Sequence, residues 1–101
     1  MVDASRIETL AQAREMIDAL DAELIARLAD RAKIVSRVAQ IKQRDGLAAR
    51  LPDRVEAVKS HVKQMAVETG LDPALAERLW HEMIEYFIAE EEKVLGKGDQ
   101  A

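Results

Sequence analysis

Along the first part of the chain, Leu10, Ala13, Ile17, Leu20, Leu24, Leu28, Val35 and Val38 recur at steps of three, four or their sum, with polar and charged residues between them. That spacing marks one apolar face of an α-helix. No glycine occurs before Gly46 and no proline before Pro52, so a single helix is predicted to run uninterrupted to about Arg44. Its start is open by one turn, because Ser5-Arg6-Ile7-Glu8 and Thr9-Leu10-Ala11-Gln12 both read as capping boxes, which satisfy free backbone donors at a helix start. Asp45-Gly46 begins a short loop. Leu51-Pro52-Asp53 then opens a second helix, with proline at the first position and an acid at the positive end. Val55, Val58, Val62, Met65 and Ala66 are its expected inner face, and Gly70 its left-handed stop. Asp72-Pro73 repeats the cap-plus-proline start. A third helix follows, with Leu79, Trp80, Met83, Ile84, Phe87 and Val94 apolar, ending before Gly96, and the tail Lys97–Ala101 is expected to fray. No alternating run calls for a strand, so the expected fold is all-α with three helices, one of them very long.

A helix of about 35 to 40 residues is a rod of roughly 55 to 60 Å, whereas a compact monomer of about 100 residues has a radius of gyration near 13 Å. The rest of the chain is too short to cover such a rod. The apolar stripe therefore predicts a second copy packed along it, in an intertwined homodimeric helical bundle.

Composition narrows the picture without changing it. The 101 residues suit one domain, residues 1–101. Apolar residues make up 49% of the chain but only Trp80, Tyr86 and Phe87 are aromatic, so the core must rest on aliphatic side chains. Fifteen basic and nineteen acidic residues are interspersed, which argues against a nucleic-acid or anionic-membrane surface. Without cysteine there is no thiolate chemistry or Cys-based metal site. No run approaches a membrane span, and Met1-Val2-Asp3-Ala4 lacks a signal pattern, so a cytoplasmic location is expected.

Three charged residues break the apolar pattern. Arg31 falls in the middle of the stripe Leu24, Leu28, Val35, Val38, and Lys42 continues the same line. Eleven residues make about three turns, so the two cations project in nearly the same direction about 16 Å apart. Each could snorkel to solvent or face a ligand. Arg14 lies at the edge of the stripe. On the third helix, Ile84, Phe87, Glu91 and Val94 share one face with a carboxylate inside it. A buried carboxylate must find a cation or a proton: either a structural ion pair with Arg31 or Lys42, or a side chain facing a ligand. Together these residues describe a water-poor cationic pocket that suits a small dianion. No Ser/His/Asp set, HExxH or phosphate loop is present, His61 and His81 are isolated, and no metal or cofactor is expected.

The segment Arg14-Glu15-x-Ile17-Asp18-x-Leu20-Asp21-x-x-Leu24-Ile25-x-x-Leu28-x-x-Arg31, followed by Lys42 and Pro52-Asp53-Arg54-Val55, resembles the all-helical chorismate mutase family over nearly the whole chain. The resemblance implies an intertwined dimer of three-helix chains with two equivalent sites, each borrowing an arginine from the partner. By position, Arg14 would be that arginine, Arg31 and Arg54 would bind the substrate carboxylates, and Lys42 would reach the ether oxygen and a carboxylate. Ile84 and Phe87 would line the pocket. Glu91 falls where many members have a glutamine that donates to the ether oxygen, and a glutamate can donate only when protonated.

Val55 stands where typical mutases carry a glutamate that contacts the ring hydroxyl of chorismate, and Leu51 where an aspartate is often found. A subgroup resembling isochorismate pyruvate-lyase shares the apolar residue after P-x-R. The resemblance thus implies a pericyclic isomerase converting chorismate to prephenate. The alternatives are a lyase releasing salicylate and pyruvate, an enzyme acting on an aminated chorismate, or a non-catalytic helical dimer that kept the fold. Gly46 and the small residues after it predict a mobile loop from Asp45 to Leu51 that closes over the pocket.

Overall fold

The computed structural model describes residues 2–96; the tail expected to fray, Lys97–Ala101, lies outside the described residues. A 3₁₀ turn at Ala4–Arg6 precedes three helices, α1 (Leu10–Asp45), α2 (Pro52–Thr69) and α3 (Pro73–Leu95). The helix count and every boundary except the start of α1 follow the glycine and proline punctuation to within a residue or so. Of the two capping boxes the second forms. Thr9 Oγ1 accepts from the Gln12 amide at 3.1 Å, while Gln12 Oε1 accepts from the Thr9 and Glu8 amides at 3.2 and 2.9 Å. Ser5 instead sits in the short turn, where its amide donates to Asp3.

Glycine ends the first two helices for a stated reason. Gly46 and Gly70 take φ of 71° and 84°, the left-handed region that L side chains avoid. The next amides, of Leu47 and Leu71, then donate back to the carbonyls of Lys42 and Ala66 at 2.8 and 2.9 Å. The chain is thereby turned within a residue or two of each helix end. Asp72 caps α3, its side chain accepting from the Ala74 amide at 2.8 Å.

The chain divides into two compact units, the first ending at Ile34 and the second beginning at Val35. In the first, α1 carries its apolar stripe without cover: Leu10, Ile17, Leu20, Leu24 and Leu28 are between 40% and 70% exposed. The second unit holds the core. There α2 and α3, joined by the turn at Gly70, pack as a helical hairpin. One cluster joins Val62, Ala66 and Ala76; another joins Ala49, Ile84 and Ile88; Val58 and Trp80 touch both.

Which residues face inward differs in part from the periodicity. On α3 the buried ridge is Ala76, Ile84, Ile88 and Glu91, with Trp80 and Leu95 half-buried beside it. Phe87 is only half-buried, and Leu79, Val94 and, on α2, Met65 are exposed. The physical reason is that α2 offers a single narrow stripe, Val55, Val58, Val62 and Ala66. It covers the i, i+4 ridge of α3 and leaves the adjacent stripe, one residue earlier in each turn, open. No helix among the described residues is long and apolar enough to cross a membrane.

Replacing Gly70 with alanine places a Cβ in the left-handed region and should lower stability by about 1 kcal/mol. Urea denaturation checks this; an unchanged midpoint would mean that the turn does not rely on glycine.

Candidate active site

Lys42 lies in the last turn of α1 and Glu91 near the end of α3. Lys42 Nζ donates to Glu91 Oε2 at 2.7 Å and to the Ala49 carbonyl at 2.7 Å. The two side chains are 12% and 8% exposed, and among the described residues Glu91 is the one buried charged residue. Taking either ion out of water costs several kcal/mol, which their mutual attraction and hydrogen bonds offset. An ammonium has three hydrogens to donate, and two are placed on protein acceptors here. The acceptor Ala49 belongs to a buried apolar cluster, so the pair borders apolar side chains. Of the two partners open to Glu91 in the sequence, it takes Lys42.

The apolar surround comes from the loop, α2 and α3. Ala49 in the loop, and Ile84 and Ile88 on α3, are buried together, with Val55, Val58, Trp80 and Leu95 packed against them. Val55 and Ile84 are thus in the same cluster as the loop residue that accepts from Lys42. Phe87 meets the ring of Tyr86 edge-on, centroids 5.2 Å apart and planes at 88°, and Tyr86 is exposed. Arg31 is half-buried on α1, whereas Arg14, also on α1, and Arg54, in the first turn of α2, are exposed. Within the second unit, therefore, the structure gathers Lys42, Glu91, Val55 and Ile84, and leaves Arg54 on the surface. His61 and His81 are exposed, and His81 Nδ1 lies 3.2 Å from Lys59 Nζ.

Sequence reasoning gave the loop a closing role but did not single out Ala49 or Arg50. Ala49 is 3% exposed, and Arg50 forms a two-pronged ion pair with Glu85 of α3, at 2.6 and 3.0 Å. The Arg50 hydrogen bonds hold the Glu85 carboxyl below its ordinary value of 4.5; those same bonds, with the charges of Glu85 and Glu92, hold the Arg50 guanidinium above its own. Two hydrogen bonds thus join the loop to α3 in this structure. The signal available in the sequence was an arginine in a short loop of small residues, but nothing local pairs it with a carboxylate 35 positions on.

A family model described as chorismate mutase type II matches residues 13–92. Among curated proteins, the isochorismate pyruvate lyase of Pseudomonas aeruginosa is 33% identical over 83% of this chain and 82% of its own length. The chorismate mutase of Methanocaldococcus jannaschii is 26% identical over 79% of this chain and 81% of its own. The 4-amino-4-deoxychorismate mutase of Streptomyces venezuelae is 30% identical over 87% and 85%.

The buried pair makes a prediction independent of any reaction. Lys42→Met or Glu91→Leu alone strands an ion and should cost about 3 kcal/mol of stability, while the double variant should recover most of it. Denaturation midpoints measure this cycle; strictly additive losses would show that the pair is not energetically coupled.

Proposed function

Since the chain belongs to the chorismate mutase type II family, we propose that it is a chorismate mutase, rearranging chorismate to prephenate without a cofactor. The observation that carries this reading is the lysine and the carboxylate, 49 residues apart in sequence, held together in an apolar setting inside the matched span. In the rearrangement one carbon–oxygen bond breaks as one carbon–carbon bond forms, and partial negative charge develops on the ether oxygen. Lys42 meets that charge with its remaining hydrogen, in a setting of low polarity where such a contact counts most. Glu91, when it carries a proton, supplies a second donor. Arg31, Arg54 and the partner subunit's Arg14 hold the two carboxylates of the substrate, so that the enolpyruvyl side chain lies over the ring as a reactive conformer. Val55, Ile84 and Phe87 supply apolar walls.

A second reading is favoured by Val55. An apolar side chain there offers no hydrogen bond to a ring hydroxyl, and the Pseudomonas relative is named an isochorismate pyruvate lyase. Elimination of pyruvate from isochorismate breaks the same kind of bond, and one pocket can serve both reactions. The name of the Streptomyces relative adds an aminated chorismate as a third substrate to assay.

The active form is a homodimer of single-domain chains. Supporting this are the uncovered stripe of α1 and the second stripe of α3, where Leu75, Leu79 and Val94 are 46%, 51% and 55% exposed. Each deprives the isolated chain of burial worth about 25 cal/mol per Å², which a second copy restores. A small dicarboxylate substrate fits a cytoplasmic enzyme.

Sedimentation should give twice the mass of one chain, and Leu20→Glu with Leu24→Glu should shift it toward monomer. Retention of the dimer in that variant would remove α1 from the interface. Turnover on chorismate, isochorismate and the amino analogue, each as kcat/KM, decides the substrate; activity on none, together with no binding of a dicarboxylate transition-state analogue, favours a non-catalytic dimer. On the preferred substrate, Lys42→Ala should lower kcat at least about a hundredfold with the helical circular dichroism retained. Near-normal turnover would refute its role.

A further inference from the structure

The catalytic reading gives no task to the pair formed by Arg50 and Glu85. We propose that this pair is a clasp that positions Lys42: by fastening the loop to α3, it fixes the peptide carbonyl that holds the ammonium in place. The inference rests on the role proposed above for Lys42.

Lys42 Nζ donates to the oxygen of Ala49, and that oxygen belongs to the peptide unit that joins Ala49 to Arg50. Because a peptide unit is rigid and planar, the carbonyl points where its two flanking residues are anchored. Ala49 is anchored by burial against Ile84 and Ile88. Arg50 is anchored by two hydrogen bonds to Glu85. Ile84, Glu85 and Ile88 all lie on α3, which also carries Glu91, the other acceptor of Lys42. A single helix thus fixes both acceptors, one through its own side chain and the other through the clasp. At the loop's near end, the Leu47 amide donates to the carbonyl of Lys42 itself at 2.8 Å, so backbone and side chain of the lysine are tied to the same short segment.

The geometry of the clasp fits positioning better than bulk stability. Its side chains are 45% and 37% exposed, and a half-exposed ion pair contributes little to folding. Its planar, two-pronged bonding restricts orientation instead, and a small displacement of a catalytic group lowers the rate much more than it lowers stability. Releasing Arg50 leaves the Ala49 carbonyl free to turn. The ammonium then follows Glu91 alone, and its third hydrogen no longer has one direction.

The test compares wild type with Arg50→Met, Glu85→Met and Arg50→Lys in the assembled protein. On the preferred substrate, kcat should fall about three- to tenfold in either methionine variant and less in Arg50→Lys, which keeps one hydrogen bond, while KM changes less than twofold. In ¹⁵N-edited spectra the Lys42 ammonium, sheltered from water exchange in wild type, should broaden in the same order. Unchanged kcat with an unchanged ammonium signal overturns the clasp. So does a rise in KM alone, which would make Arg50 a substrate contact, or a fall in melting temperature alone, which would make the pair merely structural. If wild type turns over none of the substrates, the functional reading fails, and the ammonium signal still decides whether the clasp holds Lys42.

Discussion

The placement of a lysine and a glutamate in a nearly dry setting is the constraint around which the second unit is arranged. Neither ion tolerates such burial alone, so α1 and α3 must end where Lys42 Nζ and Glu91 Oε2 come within 2.7 Å. The Gly46 turn redirects the chain directly after the lysine, the loop returns a carbonyl to it, and the α2–α3 hairpin brings Glu91 alongside. Each of these elements is short of alternatives. A longer loop would not return Ala49 in time, and a ridge on α3 shifted by one residue would carry the carboxylate away from the lysine.

The same arrangement leaves much apolar surface on α1 and α3 without cover. A chain of this size that buries few large side chains is marginal by itself. Its stability and its chemistry are therefore expected to depend on the same event, the pairing of two copies. That pairing would bring arginine from a second α1 to a site where one chain offers a lysine, a carboxylate and apolar walls. A pocket assembled this way can hold a dianion firmly and still leave the reacting bond in a dry environment, which is what a rearrangement needing neither nucleophile nor metal requires.

Much of this was legible in the sequence, for reasons that differ from residue to residue. Helix ends were readable because Gly46, Pro52, Gly70 and Pro73 act through their own backbone geometry, which needs no tertiary context. Lys42 and Glu91 stood out as charges on apolar faces, and Lys42 was, with Arg31, one of two cations open to pair with Glu91. The exact ridge on α3 was not readable. Ile84, Phe87, Glu91 and Val94 fit a helical face as well as Ile84, Ile88 and Glu91 do, and only the width of the α2 stripe decides between them. Ala49 was beyond reach altogether: it acts through a backbone oxygen that any residue carries. Arg50 and Glu85 are 35 positions apart, and only folding sets them side by side.

The central claim is that Lys42 and Glu91 face the bond that breaks. A crystal structure of the assembled protein with a dicarboxylate transition-state analogue tests it most directly. The analogue's ether oxygen should lie within hydrogen-bonding distance of Lys42 Nζ, with Glu91 beside it and arginines on both carboxylates. An analogue bound elsewhere, or one that leaves Lys42 engaged only with Glu91 and Ala49, would contradict it.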